Sequence, residues 1–216
     1  MRRTPYTYLG LFISYFSITG ISQLFKYLYG PQLSDPQALL RELLIFLMIG
    51  IVCLIIYRKE KLTLRSIGLY AGNWKRSLLW ALVTIVLCGI ALAGSLWISQ
   101  LLGWEFGTSK AFDKLSLFSI AIIVLRAGIA EEFFFRGYII ERLSAITKNK
   151  YAAAVLSLVP FALFHYSQGY AGILVAFTLG AVLTGMYLWK RDLKSNMIAH
   201  FTIDFIPNVL LPLFGG

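Results

Sequence analysis

Charge is what this 216-residue sequence has little of: Asp, Glu, Lys and Arg make up 14% of it, against 58% for hydrophobic side chains. An ordinary globular domain carries roughly 25% charged residues. Together with a mean hydropathy of +0.74, the scarcity excludes a soluble enzyme and places most of the chain in lipid. Acids are the rarer sign, 10 against 20 Lys and Arg, for a formal charge of +10. A nucleic-acid partner would need that excess gathered on one face of a soluble fold, whereas here the basic residues lie between apolar runs. Cysteine is nearly absent. Cys53 and Cys88 both sit inside apolar runs, which reads as small buried hydrophobes and gives no disulfide or redox signal. There is also no internal repeat, low-complexity tract, Gly-rich phosphate loop or Cys-based metal motif.

What is present is a series of apolar runs long enough to cross a bilayer, which takes about 20 residues as a helix. They fall at about 7–28, 39–57, 77–102, 116–145, 151–167, 171–189 and 195–212. The expected fold is therefore all-α, a polytopic transmembrane helical bundle of about seven spans in a single membrane domain over 1–216. The first run follows Met1-Arg2-Arg3 and has no A-x-A cleavage site after it, so it is expected to be a retained span rather than a signal peptide. Basic residues test this parse. Arg2, Arg3, Arg58, Lys59, Lys61, Arg65, Lys75, Arg76, Arg142, Lys148, Lys150, Lys190, Arg191 and Lys194 fall on one side; Lys26, Arg41, Lys110 and Lys114 fall on the other. The asymmetry predicts a plasma-membrane protein with a cytoplasmic N-terminus and, for seven spans, an external C-terminus. Between Lys61 and Arg76, Leu62, Leu64, Ile67, Leu69 and Trp74 alternate with basic residues, as in an interfacial helix or loop on an anionic leaflet. Gly172, Ala176, Gly180 and Thr184 form a ridge of small residues suited to close helix packing. Membrane lipids are thus the first partner.

The informative residues are those that lipid should exclude. A charged side chain at the centre of a membrane helix costs at least about 2.5–3.5 kcal/mol on insertion scales. The fourth run nevertheless carries Arg126, Glu131, Glu132 and Arg136. The fifth carries His165 and the seventh His200 and Asp204, so both histidines of the chain lie in membrane spans. Glu132 and Arg136 are four apart with the acid first, the favourable order for an intrahelical ion pair, and that structural role is their expected one. The 3.6-residue period turns Glu131 about 100° away from Glu132, free to face the bundle interior. Arg126 is expected to cap, snorkel or balance a nearby acid. His200 and Asp204 share a face, and Pro160 is placed to kink the fifth helix and free a carbonyl near His165.

Three strings in order on successive helices, E-E-x-x-x-R from Glu131 to Arg136, F-x-x-x-H from Phe161 to His165 and H-x-x-x-D from His200 to Asp204, resemble the motifs of the CPBP intramembrane proteases. That family is named for CAAX-prenyl endopeptidases and bacteriocin-processing or immunity proteins. The resemblance covers about 116–210. It implies hydrolysis of a peptide bond in a membrane-associated protein or peptide, with Glu131 and His165 activating a water. His200 and Asp204 would form the oxyanion side, and Glu132 and Arg136 would support the first motif.

The chemistry is reasonable, since a glutamate in low dielectric is a better general base and a neighbouring imidazole can share its proton. Asp204 departs from the commoner Asn, and an ionised aspartate donates no hydrogen bond to an oxyanion. Either it is protonated or, the favoured reading, it holds His200 as a charged donor. No cofactor is expected. Zinc on Glu131, His165 and His200 is the lesser alternative, because no H-E-x-x-H places two ligands on one helical turn. A non-catalytic immunity or partner-binding protein of the same fold is the rival reading. A proton-coupled transporter is disfavoured for want of paired interrupted helices in two related halves. One tension remains: counted from the cytoplasmic ends, His200 lies five or six residues deep and His165 about fourteen. Tilt, a kink at Pro160 or a later start of the fifth helix would reconcile them.

Overall fold

A computed structural model describes residues 4–70, 72–107 and 112–214; Arg2, Arg3 and Lys110 of the charge argument lie outside them. Among the described residues there are helices and no strands. The elements are α1 (Pro5–Tyr29), α2 (Asp35–Leu54), α3 (Trp74–Leu101), α4 (Leu117–Arg126), α5 (Ile140–Thr147), α6 (Lys150–Leu163), α7 (Gly169–Lys190), α8 (Leu193–Phe205) and α9 (Leu211–Phe214). α4 and α5 are joined without a break by a π-helical segment, Ala127–Ile139, and α8 and α9 by another, Ile206–Leu210. The result is a multi-pass bundle of seven helical rods, five of them long and apolar enough to cross a membrane.

Local sequence fixes where six of the seven rods start. Pro5 and Pro36 occupy first turns, where a missing N–H costs nothing. The side chains of Asn73, Ser116, Asn149 and Asp192 accept hydrogen bonds from the opening amides of α3, α4, α6 and α8.

The rod over 117–147 is the centre of the bundle. Phe133, Phe134, Phe135, Tyr138 and Ile139 are buried together with Ile45 and Val52 of α2, Ile56 just beyond it, Phe161 of α6 and Leu193 of α8. Neighbouring helices therefore stand between this rod and lipid, and this is how it carries six charged side chains, Arg126, Glu131, Glu132, Arg136, Glu141 and Arg142. The outer face of α3 is the opposite case, with Leu82, Val86 and Ile90 more than 60% exposed, as a lipid-facing surface should be.

Two expectations need correction, and a third is narrowed. The helical register of the fourth run is not α throughout: Ala127–Ile139 has the i→i+5 pattern, which spacing rules for a 3.6-residue period do not anticipate. The fifth run does not span; α6 has 14 residues, about 21 Å at 1.5 Å each, against a hydrocarbon core of about 30 Å. His165 lies beyond the end of α6, just before a 3-10 turn at Tyr166–Gln168. Finally, of the interfacial helix or loop expected over Lys61–Arg76, the described residues form a loop. Ile67 is fully buried, and Leu62, Leu64 and Leu69 pack on the central core around a 3-10 turn at Leu64–Ile67.

One end of the bundle collects the basic residues. Arg142, counted above as a topological charge, is buried and ion-paired to Glu60 at 2.7 Å, and Tyr138 and Thr7 also donate to that acid. Arg191 pairs with Glu141 at 2.8 Å. Partial burial works against the Arg191 charge, and Glu141 outweighs it, so its pKa stands above the ordinary guanidinium value. Lys190 lies over the rings of Trp80 and Trp189 at 3.6 and 3.2 Å, an aromatic and basic girdle of the kind found at membrane interfaces.

Candidate active site

The π-helical segment sets the register of the site. Arg126 and Glu131 are five residues apart, which in an α-helix would put them about 140° apart. An i→i+5 helix stacks them instead, and Arg126 Nη1 donates to Glu131 Oε1 at 2.9 Å. The guanidinium's Nε donates to Glu42 of α2, so Arg126 balances two acids. Glu131 keeps its second oxygen, Oε2, 4.0 Å from His200 Nε2.

Glu132 is turned the other way and is fully buried. Its Oε1 accepts from Arg136 Nη1 and from His200 Nδ1, both at 2.8 Å, and its Oε2 accepts from Asn196 at 3.1 Å. The ion pair expected within one helix is thus also a bolt between helices: Glu132 ties the central rod to α8, and Arg136 donates to the Gly180 carbonyl of α7 and stacks on Phe161 of α6. Removing one partner of such a buried pair strands the other charge, at a cost of about 3–5 kcal/mol.

Two glycines permit these approaches. A Cβ on Gly128 would lie 2.9 Å from the Phe201 backbone nitrogen and Cβ, so α8 rides directly against the segment and delivers His200 to Glu132. A Cβ on Gly180 would meet Leu158, Phe161 and the Arg136 guanidinium at 2.8–3.2 Å. The small-residue ridge of α7 is therefore a packing feature, as expected.

His200 is buried, with Nδ1 on Glu132 and Nε2 facing Asp204 Oδ2 at 3.4 Å. His165 Nδ1 lies 2.8 Å from the Phe161 carbonyl. A carbonyl only accepts, so Nδ1 carries the hydrogen and the neutral ring presents Nε2 as an acceptor. No hydrogen bond joins Glu131 to His165. Both line a cavity of about 530 Å³ together with His200 and Asp204, and both line a second one of about 220 Å³ beside α1. Although they lie at different distances along their chains from the starts of α6 and α8, His165 and His200 line the same cavity.

The carbonyl freed by Pro160 is that of Leu156, four residues earlier and more than two turns from His165. The Tyr15 hydroxyl of α1 donates to it at 2.8 Å. Among the described residues no group of three or more His, Cys, Asp and Glu side chains is placed to hold a metal ion. In His200 both ring nitrogens face carboxylates, which leaves that imidazole a poor ligand.

Residues 113–206 match the family model for type II CAAX prenyl endopeptidase Rce1-like proteins. The match makes this segment similar to an Rce1-like domain and leaves more than half of the chain outside it. The segment holds all three motifs, and its kind is that of membrane proteases. No curated protein and no solved structure matches the chain. Two residues tied to the motif acids, Asn196 directly and Glu42 through Arg126, escaped the sequence reading. Asn196, inside the Rce1-like segment, was hidden in an apolar run. Glu42, outside it on α2, was visible as an acid in a membrane span, the same signal that singled out Glu131.

Proposed function

We propose that the protein is an intramembrane endopeptidase of CAAX-protease type that cleaves a peptide bond of a membrane-associated protein or peptide. The observation that carries this reading is the convergence of Glu131, His165, His200 and Asp204 on one cavity of about 530 Å³ inside a helical bundle.

In this scheme Glu131 Oε2 takes a proton from water while His165 Nε2 accepts the water's other hydrogen bond and orients it. The water oxygen adds to the scissile carbonyl. The charge that develops on the carbonyl oxygen needs a donor already in place, and His200 supplies it. With Nδ1–H given to Glu132 and Nε2–H held between Asp204 and Glu131, the ring is a double donor, which is imidazolium. Asp204 acts by keeping that charge on His200 rather than by donating a bond itself. The proton held by Glu131 then passes to the leaving amine. Glu132 has both oxygens occupied, and with Arg136 it supports the site without serving as base.

The same reading takes the reaction to be metal-free, places the protein in the plasma membrane with its basic end toward the cytoplasm, and makes membrane lipids and the peptide substrate its partners. Purified protein in lipid nanodiscs tests it. Substituting Glu131→Gln and, separately, His165→Ala abolishes peptide cleavage while the thermal transition persists, and strong chelators leave wild-type cleavage intact. Chelator-induced loss restored by zinc would overturn the metal-free mechanism. Cleavage retained in both folded variants would overturn these residue roles, and a folded wild-type protein that cleaves no membrane-associated peptide would favour the partner-binding alternative.

A further inference from the structure

Resting on that reading, we propose that Glu42 of α2, together with Arg126, is a positioning residue for Glu131, so that the active site extends beyond the Rce1-like segment into a helix that carries none of the three motifs. The charged side chains alternate in an unbroken series. Arg41 lies 2.6 Å from Glu42 Oε1, and Glu42 Oε2 accepts from Arg126 Nε. Arg126 Nη1 donates to Glu131 Oε1. Glu42 and Arg126 are 1% and 7% exposed, so neither is a solvated surface charge.

The geometry explains why two acids are needed on one guanidinium. A planar guanidinium held at a single edge can still swing about that contact; held at Nε by α2 and at Nη1 by Glu131, its plane is fixed. Glu131 is then gripped by Oε1 alone, and Oε2 is turned toward His200 Nε2 and the large cavity. The i→i+5 register of Ala127–Ile139 matters here as well, because it is what places Arg126 and Glu131 on one face. A simple ion pair buried for stability would need no such register, and it would not need to end on a carboxylate that lines the cavity.

Glu42→Gln keeps the shape of the side chain and removes its charge; Glu42→Asp keeps the charge and shortens the reach by one methylene. If Glu42 only fills space, Gln is the milder change. If it holds Arg126 by charge, Asp is. A misplacement of about 1 Å at a reacting group costs roughly 100-fold in rate. Glu42→Gln is therefore expected to lower kcat by about 100-fold with KM within about twofold, and Glu42→Asp to recover part of that loss. Arg126→Lys preserves the charge balance but not the fork, and it is expected to lower kcat likewise, which decides the matter if Glu42→Gln does not fold. Unchanged kcat in Glu42→Gln, a Gln variant more active than the Asp variant, or a loss confined to KM overturns the proposal. Glu131→Gln is the control that separates the two levels: if it still cleaves, the reading of the site fails, whereas an inactive Glu131→Gln beside a fully active Glu42→Gln removes only the role of Glu42.

Discussion

Gly128 is the position at which packing and chemistry are most tightly joined, and Gly128→Ala tests that link with the smallest possible change. The added Cβ would sit 2.9 Å from Phe201 N and Cβ and 3.0 Å from its Cα, where ordinary contacts begin at 3.4 Å. Two of these atoms are backbone, so no side chain can rotate away, and α8 must retreat by about 0.5 Å or more. Phe201 directly follows His200. A retreat of that size lengthens the 2.8 Å bond from His200 Nδ1 to Glu132 to about 3.3 Å, past the range of a good hydrogen bond. Overpacking costs about 1–3 kcal/mol, and replacing glycine by alanine within a helix returns up to about 1 kcal/mol. Stability should thus fall by no more than about 2 kcal/mol, a shift of a few degrees in the thermal transition. The rate should fall as well, by about tenfold or more, since a misplacement of about 1 Å at a reacting group costs roughly 100-fold and this one is about half of that. The assay is cleavage of a membrane-associated peptide by purified protein, with the thermal transition followed in parallel. A Gly128→Ala variant with wild-type kcat would show that close approach of α8 to the π-helical segment is not what sets the His200 to Glu132 geometry.

Three further outcomes follow from the same contacts. Arg136→Met strands the fully buried Glu132 and should destabilise the protein by about 3–5 kcal/mol in thermal or denaturant unfolding; Arg136→Lys should not restore it, since one ammonium cannot serve both Glu132 and the Gly180 carbonyl. Tyr15→Phe removes the donor to Leu156 O and should cost about 1 kcal/mol. In a Pro160→Ala background the restored backbone N–H satisfies that carbonyl, so the same change should cost nearly nothing, a coupling that a double-mutant cycle reads directly. Leu179→Trp, which narrows the larger cavity without touching its polar groups, should raise KM at least tenfold and leave the thermal transition in place.

Much of the candidate site was legible because lipid makes polar residues conspicuous. Glu131, Glu132, Arg136, His165, His200 and Asp204 stood out as groups that cost free energy where they are, and the structure brings them around one cavity and one buried ion pair. The register of Ala127–Ile139 was not legible. The Glu132 to Arg136 spacing of four fits an α-helix, and the Arg126 to Glu131 spacing of five reads as a pair on different faces unless the helix is known to be wide. α6 looked long enough to span because apolar residues continue past Leu163, yet the chain turns at His165 and places its imidazole at the cavity. Asn196 escaped notice because an amide draws less attention than a charge. Glu42 was overlooked because it adjoins Arg41 near a helix end, where a charged pair reads as an interface feature rather than as the far end of a buried network.

The central claim is that Glu131 is the base of a peptide hydrolysis carried out inside the bundle. Its most direct test is the rate of cleavage of a membrane-associated peptide by purified Glu131→Gln in nanodiscs, measured beside wild type at matched folded fraction. Gln keeps the size of the side chain and can still face Arg126, so the fold should survive. The prediction is cleavage reduced to background with the thermal transition preserved; a folded Glu131→Gln protein that cleaves at a rate close to wild type would contradict it.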